Sequence, residues 1–234
     1  MGQEREPRAE DEAHYRGHRD RLRQRFLAAG PEALADYELI ELLLFAAIPR
    51  RDVKPLAKGL LAAFGGLGAV LNAPADQLAA RAGLGPAAVI ALKSVAAAAG
   101  RMLAEEVMEK PVLSSWSRLI DYLKLTMQHE PAERFRLLFL NAKNRLIADE
   151  VQGHGTVDQA PVYPREVVKR ALELAASALI LVHNHPSGDP APSRADIEMT
   201  RTLVRALEPV GVTVHDHVII GRRDTASFKA LGLI

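Results

Sequence analysis

The sequence predicts an α+β protein, with an all-helical N-terminal domain followed by a mixed α/β domain. Three observations carry this. Residues 31–108 set their apolar side chains in helix-length patches, with proline at the starts and glycine at the ends. After Pro131 the pattern changes to period two and to strand-forming residues in Phe135-Arg136-Leu137-Leu138-Phe139-Leu140. Ala178-Leu179-Ile180-Leu181-Val182 is a short, unbroken apolar run, as a strand buried on both faces requires. With 234 residues, 48% of them hydrophobic, the chain suffices for one large core or two modest ones.

Residues 1–13 are polar, charged and without periodicity, the composition of a disordered tail. From His14 to Arg25 arginine is dense, and the stretch reads either as a contact for phosphates or carboxylates or as a solvated helix face leading into Phe26 and Leu27. Pro31 opens the helical region, and Leu39, Ile40, Leu42, Leu43, Leu44 and Phe45 form a helix-length patch that ends before Pro49. A second helix is expected from Val53 to Phe64, stopped by Gly65-Gly66. Short helical turns follow over 67–71 and 75–82, then a long Ala-rich helix from Pro86 to about Val107. The Gly83-Leu84-Gly85 turn between them is similar to the helix-hairpin-helix module, which grips a nucleic-acid phosphate with backbone N–H groups. A tight turn kept for packing has the same sequence; Pro86 removes one N–H, and Lys93 is the only nearby cation. Loss of the Ala periodicity and Pro111 place a linker within 105–117, giving a helical domain over 14–108 and a second domain over 112–234.

In the second domain Ser115 or Ser117 caps a helix through Met127. Phe135–Leu140 and Arg145–Val151, joined by a turn at 141–144, read as a β-hairpin that Gly153, Gly155 and Thr156 terminate. Pro164-Arg165-Glu166 opens an amphipathic helix with Val167, Val168, Ala171, Leu172 and Ala175 on one face. The buried strand 178–182 comes next, then a Pro/Gly-rich loop and a helix from Ser193 through Leu207. A closing strand from Val212 to Ile220, a turn at Gly221-Arg222-Arg223-Asp224 and a short tail from Phe228 complete the chain.

The densest chemistry lies in His183-Asn184-His185-Pro186-Ser187-Gly188-Asp189-Pro190-Ala191-Pro192-Ser193-Arg194-Ala195-Asp196. Histidines two apart at the mouth of a strand face one side of the sheet. Two imidazoles and one carboxylate are the ligand set of a catalytic zinc site whose fourth position is left to water, and such a site makes hydroxide near neutral pH. Asp196 has a second use, because Ser193-Arg194-Ala195-Asp196 fits a helix capping box that competes for the carboxylate. His215-Asp216-His217 is a second His-x-His with no comparable loop after it, and reads as strand packing with a hydrogen bond behind the site. His154, between two glycines, is a further candidate for the border of the pocket.

Composition bounds the partners. There is no cysteine, which excludes disulfides and thiolate metal sites. Thirty basic residues against twenty-nine acidic ones give no global argument for nucleic acid. The first thirty residues contain no apolar segment resembling a signal peptide, and no apolar run approaches the roughly 20 residues of a membrane span, so a cytoplasmic protein is expected.

His-x-His-Pro, then six residues, Ser, two residues and Asp resembles the JAMM motif of the MPN/JAB metalloprotease fold. The flanks Pro164-Arg165-Glu166 and Asp216-His217 are similar to the RadC branch of that fold, whose N-terminal helix-hairpin-helix-like region matches Gly83-Leu84-Gly85. The resemblance implies a cytidine-deaminase-like MPN/JAB zinc domain in which His183, His185 and Asp196 bind Zn2+ and Ser193 stabilises a tetrahedral oxyanion. It also implies a glutamate that deprotonates water. In the family that residue stands at the start of an early strand, a place matched by Glu133; Glu150 and Glu166 are the alternatives, and Glu166 also suits a helix N-terminus.

The expected function is a zinc-dependent metallopeptidase or isopeptidase-like hydrolase acting on an amide bond of a protein or peptide substrate. The alternative is a DNA-binding or DNA-repair-associated protein, with DNA held by the helical domain and the metal domain structural or a nuclease.

Overall fold

The computed structural model describes residues 9–154 and 162–234, with the backbone alone for 9–16, 153 and 154. The chain forms two compact units that divide between Ala98 and Ala99. The first contains α1 (Ala9–Ala29), α2 (Asp36–Ala47), α3 (Lys54–Phe64), α4 (Leu67–Asn72), α5 (Ala75–Ala79) and the start of α6 (Pro86–Glu109). Leu22, Ile40, Leu44, Leu60, Val70, Leu78 and Leu92 form its core. Of the expected disordered tail, residues 1–8 lie outside the described residues. From Ala9 the chain is helical, since Ala9, Glu10, Glu12 and Ala13 are good helix formers that extend α1 backwards.

The arginine-rich stretch docks α1 on α2. Arg19 donates to the carbonyls of Ile48 at 2.6 Å and Arg51 at 2.7 Å, groups at and beyond the end of α2 that lack helical partners. His18 meets the buried Glu41 at 2.8 Å, and Arg25 pairs with Glu38. The Gly-x-Gly turn is packed at its first two residues, while a Cβ at Gly85 would meet nothing within 4 Å. Gly83 has φ +92°, and a Cβ there would stand 2.9 Å from the Arg51 guanidinium, while Leu84 is buried. Lys93, the nearby cation, donates to the carbonyls of Leu71 at 3.1 Å and Ala73 at 3.0 Å.

Helix α6 is continuous through the start of the expected linker. Ala88, Val89 and Leu92 enter the first core, and Leu103, Ala104 and Val107 enter a core of the second unit. By length and composition alone this helix is apolar enough to cross a bilayer, which the reading of apolar runs did not anticipate, because Lys93 and Arg101 interrupt the run without charging the whole helix.

The second unit is a five-stranded mixed sheet in the order β2-β1-β3-β4-β5. Its strands are β1 (Arg134–Leu140), β2 (Leu146–His154), β3 (Ala178–Asn184), β4 (Thr213–Ile220) and β5 (Thr225–Ser227). β1 runs antiparallel to β2 and β3, β3 parallel to β4, and β5 antiparallel to β4. β5 has three residues, too few for periodicity to betray it, and Phe228 just beyond it is fully buried.

Alternation along the strands fills two cores, one on each face. Leu138, Leu140, Ile180, Val182, Val218 and Ile220 pack against Leu119, Leu123 and Met127 of α7 (Trp116–Met127). Leu137, Phe139, Leu179 and Leu181 pack against Val167 and Ala171 of α8 (Pro164–Glu173) and Leu203 and Leu207 of α9 (Arg194–Leu207). Ser115 precedes α7 as expected, but its hydroxyl bonds the Pro111 carbonyl at 3.0 Å rather than a helix N–H. On the α7 face Arg136 reaches Asp149 at 2.9 Å through Nε, Thr126 at 2.9 Å and the Tyr122 hydroxyl at 2.9 Å.

Candidate metal centre

The histidine loop leaves β3 at its C-terminal end beside the parallel β4, where open α/β sheets place their ligands. β3 ends at Asn184, yet the His185 N–H continues the pairing onto the Ile220 carbonyl at 3.0 Å. Alternation therefore persists one residue further, and the His183 and His185 rings meet with Nε2 atoms 2.9 Å apart. The loop turns at Gly188, which has φ +93° and whose carbonyl accepts the Arg222 N–H at 3.0 Å. It then delivers Ser193 as the N-cap of α9.

The capping box forms and does not exclude the second use of Asp196. The Asp196 N–H donates to Ser193 Oγ at 3.2 Å, and Asp196 Oδ2 accepts the Ser193 N–H at 2.7 Å. That leaves Oδ1 at 3.3 Å from His183 Nε2, with Oδ2 at 3.6 Å from His185 Nε2. The box aims the carboxylate at the imidazoles.

Three ligand atoms of His183, His185 and Asp196 thus lie within 4.8 Å of one another. Two ligands on a tetrahedral zinc stand about 3.3 Å apart given bonds of roughly 2.0–2.1 Å. His183 Nε2 lies 2.9 Å from His185 Nε2 and 3.3 Å from Asp196 Oδ1, both close to that value. His185 Nδ1 lies 2.7 Å from the Asp189 carbonyl, which only accepts, so Nδ1 carries the proton and the Nε2 lone pair of neutral His185 faces the group. The donor set fits a divalent metal.

Electrostatics agree with the geometry. Burial brings His183 down to about 4, against the charge of Asp196, with His185 adding to the fall. His185 is raised, chiefly by its hydrogen bond to Asp196 against the cost of burial, with the Asp189 carbonyl and the charges of Asp196 and Glu133 assisting. Burial alone would raise Asp196, but the His185 hydrogen bond, the His183 charge and the Ser193 hydroxyl and N–H hold it well below the usual carboxylate range.

A family model described as RadC-like JAB domain matches residues 113–233, more than half of the chain, and one described as UPF0758 N-terminal matches residues 16–90. The chain belongs to the RadC-like JAB family. The RadC-like match contains the whole sheet of the second unit and the His/His/Asp group, and the other match covers much of the first unit.

Within the RadC-like domain Glu133 lies immediately before β1, two residues ahead of Phe135, whose partner on β3 is His183. The Glu133 charge acts on the His185 ring. Glu150 is instead gripped by Arg170, with contacts of 2.6 and 2.9 Å, and Glu166 pairs with Arg165 at 3.1 Å on the surface. Ser193 is exposed at the mouth of the site. The His154 side chain lies outside the described residues.

Sequence reasoning missed Asn184. Its buried side chain points away from the histidines, accepts the Arg134 N–H at 2.8 Å and donates to the Ala132 carbonyl at 3.1 Å, clasping Glu133 from both sides. Of the second His-x-His, His215 bonds Asn144 at 2.7 Å, and Asp216 accepts the N–H of Lys229 at 3.0 Å and the hydroxyl of Ser227. His217 is fully buried and touches the site directly, with Nε2 at 2.7 Å from His183 Nδ1. Phe135 stacks on His183 with centroids 6.0 Å apart.

Proposed function

We propose that this RadC-like protein is a metal-dependent hydrolase of the JAMM type, with zinc held by His183, His185 and Asp196 and an amide bond of a protein or peptide as its target. The observation that carries the reading is the convergence of two imidazole Nε2 atoms at 2.9 Å with a carboxylate oxygen at 3.3 Å, at the C-terminal end of a buried strand. A metal bound there supplies Lewis acidity, which polarises a carbonyl and makes water a nucleophile near neutral pH.

The remaining chemistry belongs to the chain. Glu133, just before β1 and with its charge acting on the His185 ring, takes the proton from the attacking water and passes it to the leaving amine. Asn184 holds the Glu133 segment at the distance β1 sets. The Ser193 oxygen is occupied by the Asp196 N–H, so its O–H is left to donate, at rest to the Asp196 carboxylate and during reaction to the carbonyl oxygen as charge builds. The capping box keeps Asp196 ionised and aimed throughout.

The test is turnover of peptide-linked and isopeptide-linked fluorogenic amides by zinc-loaded protein. Chelation abolishes cleavage and zinc restores it if the reading holds. Cleavage that survives both chelation and Glu133→Gln contradicts it.

A further inference from the structure

A chain of hydrogen bonds runs behind His183, and its direction can be derived from one end. Thr200 Oγ1 lies 2.6 Å from the backbone carbonyl of Asp196, one turn earlier on α9. A carbonyl only accepts, so the Thr200 hydroxyl proton points at it. Thr200 Oγ1 also lies 2.6 Å from His217 Nδ1 and, having spent its proton, can only accept there. The His217 proton therefore sits on Nδ1, and its Nε2 carries a lone pair. That lone pair faces His183 Nδ1 at 2.7 Å, so His183 donates from Nδ1 and presents its own Nε2 lone pair to Asp196 and His185. Every group in the relay is buried and neither His217 nitrogen has another hydrogen-bonding partner among the described residues, so no other donor competes for its direction. The relay ends on the backbone of Asp196, the residue whose side chain meets His183 in front.

We infer that His217 and Thr200 are positioning residues that lock His183 in the tautomer needed to bind a metal through Nε2, an inference that rests on the metal reading above. A histidine ligand generally needs a fixed acceptor behind its other nitrogen, and here the acceptor is a second imidazole whose own tautomer is set by a threonine. Without the Thr200 oxygen, the His217 proton is free to move to Nε2. His183 must then carry its proton on Nε2, where the metal would bind.

The test uses the full chain labelled with 15N-histidine, observed by NMR metal-free and then titrated with zinc against a competing chelator. In metal-free wild type, His183 is expected as the Nδ1-protonated form. Thr200→Val is expected to shift His183 toward the Nε2-protonated form and to weaken zinc binding by about 10–100-fold, with Thr200→Ser restoring both. His217→Phe is expected to weaken zinc at least as much; should it fail to fold, the Thr200 pair still decides. Tight wild-type zinc binding with His183 protonated on Nε2 in the metal-free protein, or with Thr200→Val at wild-type affinity, overturns the relay alone. Absence of zinc binding in wild type overturns the metal reading and the positioning role with it.

Discussion

Asn184 accepts the Arg134 N–H at 2.8 Å, so the residue between the two histidines in sequence holds the segment that carries Glu133 in space. One strand end thereby carries the two candidate ligands and holds the segment of the proposed base. Asn184→Ala is expected to leave zinc content unchanged while lowering kcat by roughly 10–100-fold, because a small misplacement of a catalytic group is costly. Steady-state kinetics with metal analysis read both quantities. Wild-type kcat in this variant would show that β1 holds Glu133 unaided.

The three candidate glutamates separate by mutation. Glu133→Gln is expected to retain zinc and lose about 10²–10⁴-fold in kcat. Glu150→Gln and Glu166→Gln are expected to stay near wild type, since Glu150 is held by Arg170 and Glu166 lies on the surface beside Arg165. Loss of turnover in Glu150→Gln with activity retained in Glu133→Gln would reassign the base.

Acid should destabilise the metal-free protein. The folded His183 value of about 4 lies below its ordinary 6.5, so between these the unfolded chain binds a proton that the folded chain refuses. Stability is then full above about pH 6.5 and falls, by on the order of a few kcal/mol, as pH drops toward the folded value. His217 is also lowered by burial and acts in the same direction, whereas the raised His185 opposes it. Urea midpoints measured from pH 7 to pH 4.5 should fall, and His183→Gln should flatten the dependence. A midpoint independent of pH in wild type would contradict this account of the buried histidines.

Away from the site, Arg136 and Asp149 form a half-buried pair under α7, and burial together with the Asp149 charge pushes Tyr122 up to about 12. Asp149→Ala removes the countercharge of the guanidinium and the acceptor of the Tyr122 hydroxyl, leaving Arg136 only its neutral acceptors on Thr126 and Tyr122. The expected loss is about 3 kcal/mol, the lower end for stripping one partner from a buried ion pair. Chemical denaturation measures it, and a loss below about 0.5 kcal/mol would place the pair among exposed ones.

How much of this was legible in the sequence follows from how local each signal is. His183, His185, Ser193 and Asp196 lie within one strand end, loop and helix cap, and their spacing alone brings them to one place. Glu133 had a position by resemblance, but its approach to His185 depends on the β1–β3 register, a pairing across about fifty residues that periodicity does not encode. Asn184 lies between the two candidate ligands, and strand alternation turns it to the other face, but what it meets there depends on the fold. Thr200 lies within the helix expected from Ser193 through Leu207, and only the fold shows that His217 on β4 stands against it. The compact units divide at Ala98/Ala99, ahead of the linker that the loss of Ala periodicity and Pro111 suggest, because α6 changes the core it serves without changing its helical pattern.

The metal centre itself is tested most directly by zinc stoichiometry and affinity of the wild-type protein beside His183→Ala, measured by elemental analysis and chelator competition. The geometry predicts about one equivalent of tightly held zinc in wild type and loss of that zinc in His183→Ala. Wild-type protein that takes up no zinc, or a His183→Ala variant that holds it equally well, would contradict the assignment.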